Sequence, residues 1–371
     1  MPVTCQTIIA AMERLAPPDL ALDWDNAGLL LGSPAQDIQK IIVTLDTELD
    51  LVPQVDEKTL IISHHPLIFT PLKTIRTDLP QGELLAALIK KDAALYASHT
   101  SFDIAPGGIN DILAAKLGLK NSMPLQHTSS EKLFKLVVFV PADHLAKVRS
   151  AMTDAGAGHL GNYSSCTFAT AGTGTFLPLA GADPYIGEEG KLEYAAEERL
   201  ETVVPEKLKR QVIAAMLEAH PYEEVAYDEI LLENKGKSYG LGRIGDLKEP
   251  LSFDAFLDLV KSVLSVPHVK AACAAPNKQI KRVAVCGGSG ASLSSYAAAQ
   301  DADVFLTGDV KYHDAQSAAA SGLAIIDAGH FATENIFVPH VKAYLQEQAA
   351  ANNWDIVIED RFGAKNIFTV Y

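Results

Sequence analysis

The sequence predicts an α/β protein: a discontinuous, two-lobed α/β domain with a smaller ferredoxin-like α+β domain inserted into it. Three observations carry this expectation. Short apolar runs alternate with helix-periodic stretches at both ends of the chain, the pattern of a parallel sheet with crossover helices. The middle of the chain breaks that pattern with glycine-punctuated hairpin signals. The two outer parts also share a plan that reads as a pseudo-repeat. In each, a strand delivers a histidine followed four residues later by a carboxylate: His99 and Asp103 in the first, His330 and Glu334 in the last. At 371 residues the chain is long for one core, so two or three domains are expected.

The first part, residues 1–131, opens with apolar residues at helical spacing over 4–15. Residues 41–45, 59–62 and 93–97 read as short strands, and helices are expected over 48–57, 81–91 and 107–117. The inserted part, 132–239, starts with a strand at 133–140 and a helix at 142–155. Glycines and prolines between 161 and 187 suit hairpins and tight loops, and a helix at 205–219 and a strand at 226–232 follow. The order β-α-β-β-α-β is that of a ferredoxin-like unit. The flanks, 126–131 and 234–238, are polar and are expected to be linkers. The last part, 240–371, returns to the first grammar near Leu247. Its strands are expected at 283–286, 304–306 and 323–326, and its helices at 292–299, 314–320 and 331–349.

Composition excludes several classes. A hydrophobic content of 48% and a charged content of 21% are ordinary for globular chains and speak against global disorder. The net charge of −15, with no sustained run of lysine or arginine, disfavours nucleic acid and anionic membranes as partners. No apolar stretch has transmembrane length, and residues 1–16 lack the basic-then-apolar order of a secretory leader. Cys5, Cys166, Cys273 and Cys286 form no Cys-x-x-Cys pair, which argues against a disulfide framework and a thiolate zinc site. A cytoplasmic protein is expected.

The chemistry concentrates at strand ends. His64 and His65 close the run Ile61-Ile62-Ser63, and Pro66 stiffens the turn behind them. Neighbours on a regular strand point to opposite faces, so two histidines serving one site must lie where the pleat has ended. His330 and Glu334, at i and i+4, share a helical face if a helix starts after Gly329. His99 suits three roles, as ligand, outer partner or general base, and Asp103 suits a turn or cap as well as a ligand. Together His64, His65, Asp103, His330 and Glu334 offer five N/O donors, too many for one structural zinc. They suit two metals sharing a bridging carboxylate. Mixed N/O ligation admits zinc, iron, manganese or nickel. Asp309 and His313 suit an outer layer or a proton shuttle, and equally ordinary surface polarity. Gly287-Gly288-Ser289-Gly290, after a strand and before a helix, suits a phosphate cradle or a structural tight turn, but lacks the lysine of a P-loop. The loop Asp23-Trp24-Asp25-Asn26 suits a wall of the cleft or a loop anchored by its ring.

These motifs resemble the Nif-three-like family of dinuclear-metal-centre hexameric proteins, many of which carry the name GTP cyclohydrolase 1 type 2 homologue. The matching pieces are Trp24-Asp25-Asn26-x-Gly28, Ser63-His64-His65-Pro66, His99-Thr100-x-x-Asp103, Gly287-Gly288-Ser289-Gly290, Thr307-Gly308-Asp309 with His313, and Gly329-His330-x-x-x-Glu334. They occur in the family's order and cover both outer parts. The middle part resembles the PII-like insert of the longer bacterial members, including His220-Pro221-Tyr222-Glu223-Glu224. The resemblance implies metal ligands at His64, His65, Asp103, His330 and Glu334. It also implies a toroidal homohexamer with its metal sites facing an internal cavity. The resulting expectation is a hydrolase with two divalent ions per chain, acting on a small, nucleotide-like substrate, with His99 or His313 moving protons. The alternatives are a non-catalytic metal-binding or regulatory assembly, and a metal-dependent phosphoesterase.

Overall fold

The computed structural model describes residues 3–363 and 366–369. The chain forms two compact units: one comprises the residues up to Ser129 and from Tyr239 onward, the other Ser130–Ser238. The described elements are mixed α/β.

Within the first unit, three strands run parallel in a five-stranded sheet. Lys40–Thr44 pairs with Thr59–Ser63, which pairs with Ala94–Ala97. Their residues are almost all buried, as expected of parallel strands covered on both faces. The register sets Thr44 opposite Ser63, and Ser63 opposite Ala97. Leu45-Asp46, His64-His65 and Ser98-His99 therefore leave the sheet along one edge. Gly28–Leu31 flanks the sheet antiparallel on one side and Val357–Asp360 parallel on the other.

A second parallel set is Gln279–Val285, Val304–Thr307 and Ala324–Asp327. Lys270–Ala272 flanks it antiparallel, as does the 243–252 portion of the strand Tyr227–Ser252. Its carboxyl ends deliver Cys286-Gly287-Gly288, Gly308-Asp309 and Ala328-Gly329-His330. Ligands in α/β sheets gather at carboxyl ends of strands, so both sets aim their chemistry the same way. One apolar core, with Ile41, Val43, Leu60, Phe102, Phe256, Val283, Leu306 and Phe337 among its members, serves both sets.

The second unit has the element order β-α-β-β-α-β. Its helices are Leu145–Asp154 and Glu206–Ala219, and Glu193–Pro205 pairs antiparallel with both 133–141 and Thr167–Phe176. Leu136, Val138, Val148, Met152, Leu200 and Met216 fill its core.

Several elements differ from the sequence reading. The flanks 126–131 and 234–238 lie within the strands Lys120–Pro141 and Tyr227–Ser252. Residues 234–238 are mostly exposed and 126–131 mostly half-buried, so both can be polar without being coil. The helix expected over 48–57 shrinks to the 3₁₀ turn Leu49–Gln54, which contains Pro53. The long helix expected over 331–349 is two, His330–Glu334 and Phe337–Asn352. Pro339 explains the break: it has no N–H for the carbonyl of Asn335 and its ring would clash there, so it is tolerated only in a first turn. The strands Gly28–Leu31 and Val357–Asp360 escape the sequence reading because each is short and at a sheet edge.

A buried ion pair ties the helix Ile109–Lys116 to Arg243. The guanidinium donates to both oxygens of Asp111 and to the carbonyls of Gly240, Gly242 and Ile104. Removing one partner of such a pair strands the other charge, at about 3–5 kcal/mol. Asp111 keeps some solvent contact, so Asp111→Ala is expected to cost about 3 kcal/mol, the low end of that range. Urea denaturation of wild type and variant measures it, and a loss below about 1 kcal/mol contradicts the assignment.

Candidate metal centre

The strand Thr59–Ser63 ends where the first pair of histidines begins. His64 and His65 still donate their backbone N–H groups to the carbonyls of Thr44 and Leu45. The Ser63 hydroxyl donates to the His65 carbonyl at 2.8 Å and tightens the turn. With the pleat ended, both rings serve one cluster, their centroids 5.1 Å apart. His99 precedes the short helix Thr100–Ile104, which carries Asp103, and His330 and Glu334 bound the helix His330–Glu334.

Each imidazole is aimed by a bond from its Nδ1. His64 donates to the Ser98 carbonyl at 2.8 Å. His65 pairs with Asp46 at 2.7 Å, His330 with Asp309 at 2.7 Å and His99 with Asp25 at 2.9 Å. A proton held at Nδ1 leaves Nε2 as the free lone pair, the arrangement that outer partners impose on metal-binding histidines. Among the described residues, three groups of side chains bring their ligand atoms within reach of a common ion: His64 with Asp103 and Glu334, His65 with His330 and Glu334, and His64 with His65 and His99.

Glu334 is only 4% exposed, and its two oxygens face different partners. Oε2 lies 2.8 Å from Nε2 of both His65 and His330. Oε1 lies 3.8 Å from His64 Nε2, which is itself 3.7 Å from Asp103 Oδ1. His64 Nε2 and Asp103 Oδ1 are buried without a hydrogen-bond partner among the described residues. Buried polar atoms seldom go unsatisfied. Two ligands each about 2.0–2.2 Å from one ion lie roughly 3–4 Å apart, so this spacing, too long for a hydrogen bond, fits a metal ion.

The electrostatics follow from the same contacts. Burial alone would lower the His65 pKa, but the Asp46 and Glu334 carboxylates outweigh it and raise the ring to about 10. Glu334 raises His330 to about 9 against its burial, with help from Asp309. Burial would raise Glu334, but the surrounding imidazoles hold it well below the usual carboxylate range. Asp103 is pushed up, first by burial and then by the charge of Glu334. Burial opposes the charge of Asp25, yet bonds from His99 and Thr100 bring it down to about 2.

The glycine loop acts as packing for this site. A Cβ on Gly288, whose φ is +61°, would stand 2.0 Å from Glu334 Oε1, and one on Gly308 would stand 2.7 Å from the His330 nitrogen. The N–H groups of Gly287, Gly288 and Gly290 already donate to Asn110, Thr333 and Thr307, which leaves few donors for a phosphate. The tight-turn reading therefore describes this loop. Cys286 is buried, and burial pushes its thiol up, away from nucleophilic use.

The structure thus gathers His64, His65, His99, Asp103, His330 and Glu334. His313 is exposed, against Tyr312 and Gln316, and belongs to none of the three groups. Asp309 orients His330. His220 sits in the other unit, its Nε2 on the Phe139 carbonyl, as a structural turn residue. Sequence reasoning missed Asp46, although a carboxylate just past a parallel strand was a usable signal. It also missed Phe337, whose ring backs His64 at 5.1 Å and which carried no distinguishing signal.

Metal ligands must be deprotonated, so binding competes with these protons. At pH 7.5 His65 and His330 lie below their pKa values of about 10 and 9 and are protonated. Zinc uptake by chelator-treated protein is expected to release about one to two protons at that pH, and fewer as pH rises through 9–10. Calorimetry in buffers of different ionisation enthalpy reads the release, and none at pH 7.5 contradicts the expectation.

The chain also matches known proteins along its whole length. The model of the Duf34/NIF3 (NGG1p interacting factor 3) family matches residues 3–361. A Halalkalibacterium halodurans protein named GTP cyclohydrolase 1 type 2 homolog is 44% identical over 352 residues, 94% of each chain. A Bacillus subtilis protein of the same name is 43% identical over 332 residues, 89% of each. Among solved structures, a Bacillus cereus protein related to NIF3 superposes with a TM-score of 0.92 at 41% identity, covering 100% of this chain and 99% of that one. A Staphylococcus aureus protein gives a TM-score of 0.77 at 27% identity, with the same coverage. The strand-end histidines and carboxylates described above are thus carried by a member of the Duf34/NIF3 family.

Proposed function

We propose that this protein is a dinuclear metal-dependent hydrolase acting on a nucleotide-like substrate. The division of Glu334 between two ligand sets carries the reading: Oε1 faces His64 and Asp103, and Oε2 faces His65 and His330. A carboxylate placed this way suits the bridge of a two-metal site. Bound there, two divalent ions would supply Lewis acidity toward water and toward a phosphate or carbonyl oxygen. Zinc, iron, manganese and nickel all suit the N/O donors. The name GTP cyclohydrolase 1 type 2 homolog, carried by relatives 43–44% identical, supports a nucleotide-like substrate.

The protein's own groups have distinct tasks. Asp46, Asp309 and the Ser98 carbonyl hold three imidazoles in the tautomer that presents Nε2 to the cluster. Asp25 does the same for His99, whose ring lies 5.2 Å from His64 and 5.7 Å from His65. His99 is therefore better placed than the exposed His313 to take or give a proton at Nε2. The unit Ser130–Ser238 contains none of the cluster residues, which favours a regulatory role for it, in keeping with a PII-like insert. Assembly as a toroidal homohexamer, with the two strand sets as pseudo-repeats, belongs to the same proposal, and light scattering gives the mass that tests it.

Elemental analysis after reconstitution is expected to give about two ions per chain. No bound metal refutes the reading. Turnover of GTP against generic phosphoesters separates a cyclohydrolase from a phosphoesterase, and failure of all substrates by the fully loaded protein favours a non-catalytic assembly. Glu334→Gln is expected to lose more metal than His313→Ala, because the amide nitrogen offers no lone pair and the negative charge is gone. Loss of an outer partner alone costs about 10–100-fold in affinity, which sets the scale the Glu334 variant must exceed. Equal metal affinity for Glu334→Gln and wild type rules out the bridge.

A further inference from the structure

Next to the cluster, on the side of His99, stands an aromatic pair that belongs to none of the hydrophobic cores of the described residues. Trp24 is 58% exposed and Phe69 is 49% exposed. Their ring centroids are 5.8 Å apart. Both flank His99, Trp24 at 6.0 Å and Phe69 at 6.2 Å, each nearly perpendicular to its ring. One imidazole therefore separates the pair from His64 and His65.

The pair is exposed but not loose. The Asp25 carboxylate, next to Trp24, accepts from the backbone N–H and hydroxyl of Thr100 at 2.9 and 2.6 Å, and from His99. The Asn26 side-chain amide donates to the Ile68 carbonyl, which ties the Trp24 loop to the Phe69 loop. A fixed pair of aromatic faces, left open to solvent beside a candidate metal centre, suits a flat apolar ligand: large rings give much contact at little entropic cost.

We infer that Trp24 and Phe69 form a stacking platform for a planar aromatic ring whose attached phosphate lies toward the metal cluster. This rests on the dinuclear-hydrolase reading and specifies its substrate class. Phosphate esters that carry an aromatic ring, nucleotides among them, are preferred over phosphate esters that carry none. The shared contact through His99 favours a substrate ring over a second copy of the chain as the occupant.

The test uses the full-length protein loaded with zinc, with GMP and ribose 5-phosphate as probes in equilibrium dialysis. Stacking on an aromatic side chain predicts GMP binding roughly 10–100-fold tighter than ribose 5-phosphate. Trp24→Ala and Phe69→Ala should each remove most of that preference and leave zinc content and ribose 5-phosphate affinity in place. Trp24→Phe, which keeps an aromatic face, should retain it. GMP should quench tryptophan emission in wild type but not in Trp24→Phe, where Trp354 is the remaining tryptophan. Equal affinity for the two probes in wild type overturns the platform and leaves the metal reading standing. If neither probe binds protein that holds two zinc ions, the hydrolase reading falls and takes the platform with it. If Trp24→Ala keeps its GMP preference but loses mass by light scattering, the pair is an interface between copies and the platform is wrong.

Discussion

The buried carboxylate of Glu334 is the constraint on which the site depends. An ionised carboxylate removed from water is tolerated only when paired and hydrogen-bonded. Here the partners are imidazoles from both strand sets: His64 and His65 from one, His330 from the other. The neighbouring backbone yields space to it. Gly288 and Gly329 have φ of +61° and +89°, and Asp309, which holds His330, sits at +54°. Non-glycine residues in that region are uncommon, and such strain gathers at functional sites. Glu334 thus meets side chains carried by both strand sets and leaves no room for a side chain at Gly288.

The sheets explain why so many donors converge. In each set the strands are parallel and buried, so the polar residues are displaced to the ends, where the backbone leaves the ladder. Matching registers bring those ends level. Asp46, His65 and His99 come from three adjacent strand ends of one sheet, and Gly288, Asp309 and His330 from three of the other. Outer partners and the residues they orient therefore come from neighbouring strands, as in Asp46 with His65 and Asp309 with His330. The packing that orders the sheets also fixes the imidazole tautomers.

Much of this was legible in the sequence because parallel strands write themselves as continuous apolar runs and end abruptly. Ile61-Ile62-Ser63-His64-His65, Leu95-Tyr96-Ala97 followed by His99 and Asp103, and Ile325-Ile326-Asp327 followed by His330 and Glu334 are such boundaries, and they yielded all five proposed ligands. What stayed hidden was pairing at a distance. Nothing local marks Asp46 as the partner of His65 or Phe337 as the ring behind His64, since each contact exists only after two elements dock. The edge strand Gly28–Leu31 was illegible because four half-buried residues carry little periodicity. The polar segments read as linkers misled for a related reason: a strand that is not fully buried is free to be polar, and composition then mimics coil.

Charge balance links the protonation of the cluster to its proposed metal load. Four carboxylates bear on it directly: Asp46, Asp103, Asp309 and Glu334. For the side chains alone, protons on His65 and His330 offset part of that charge, and burial drives Asp103 toward its neutral form. Two divalent cations carry four positive charges, which match four carboxylates once the imidazoles are neutral. The same balance that makes protons cling to His65 and His330 therefore favours their exchange for cations. Asp25 lies further out, bonded to His99 and Thr100, and its charge adds to the upward push on Asp103. It holds the His99 ring at Nδ1, which sets that ring beside His64 and His65 as part of the cluster.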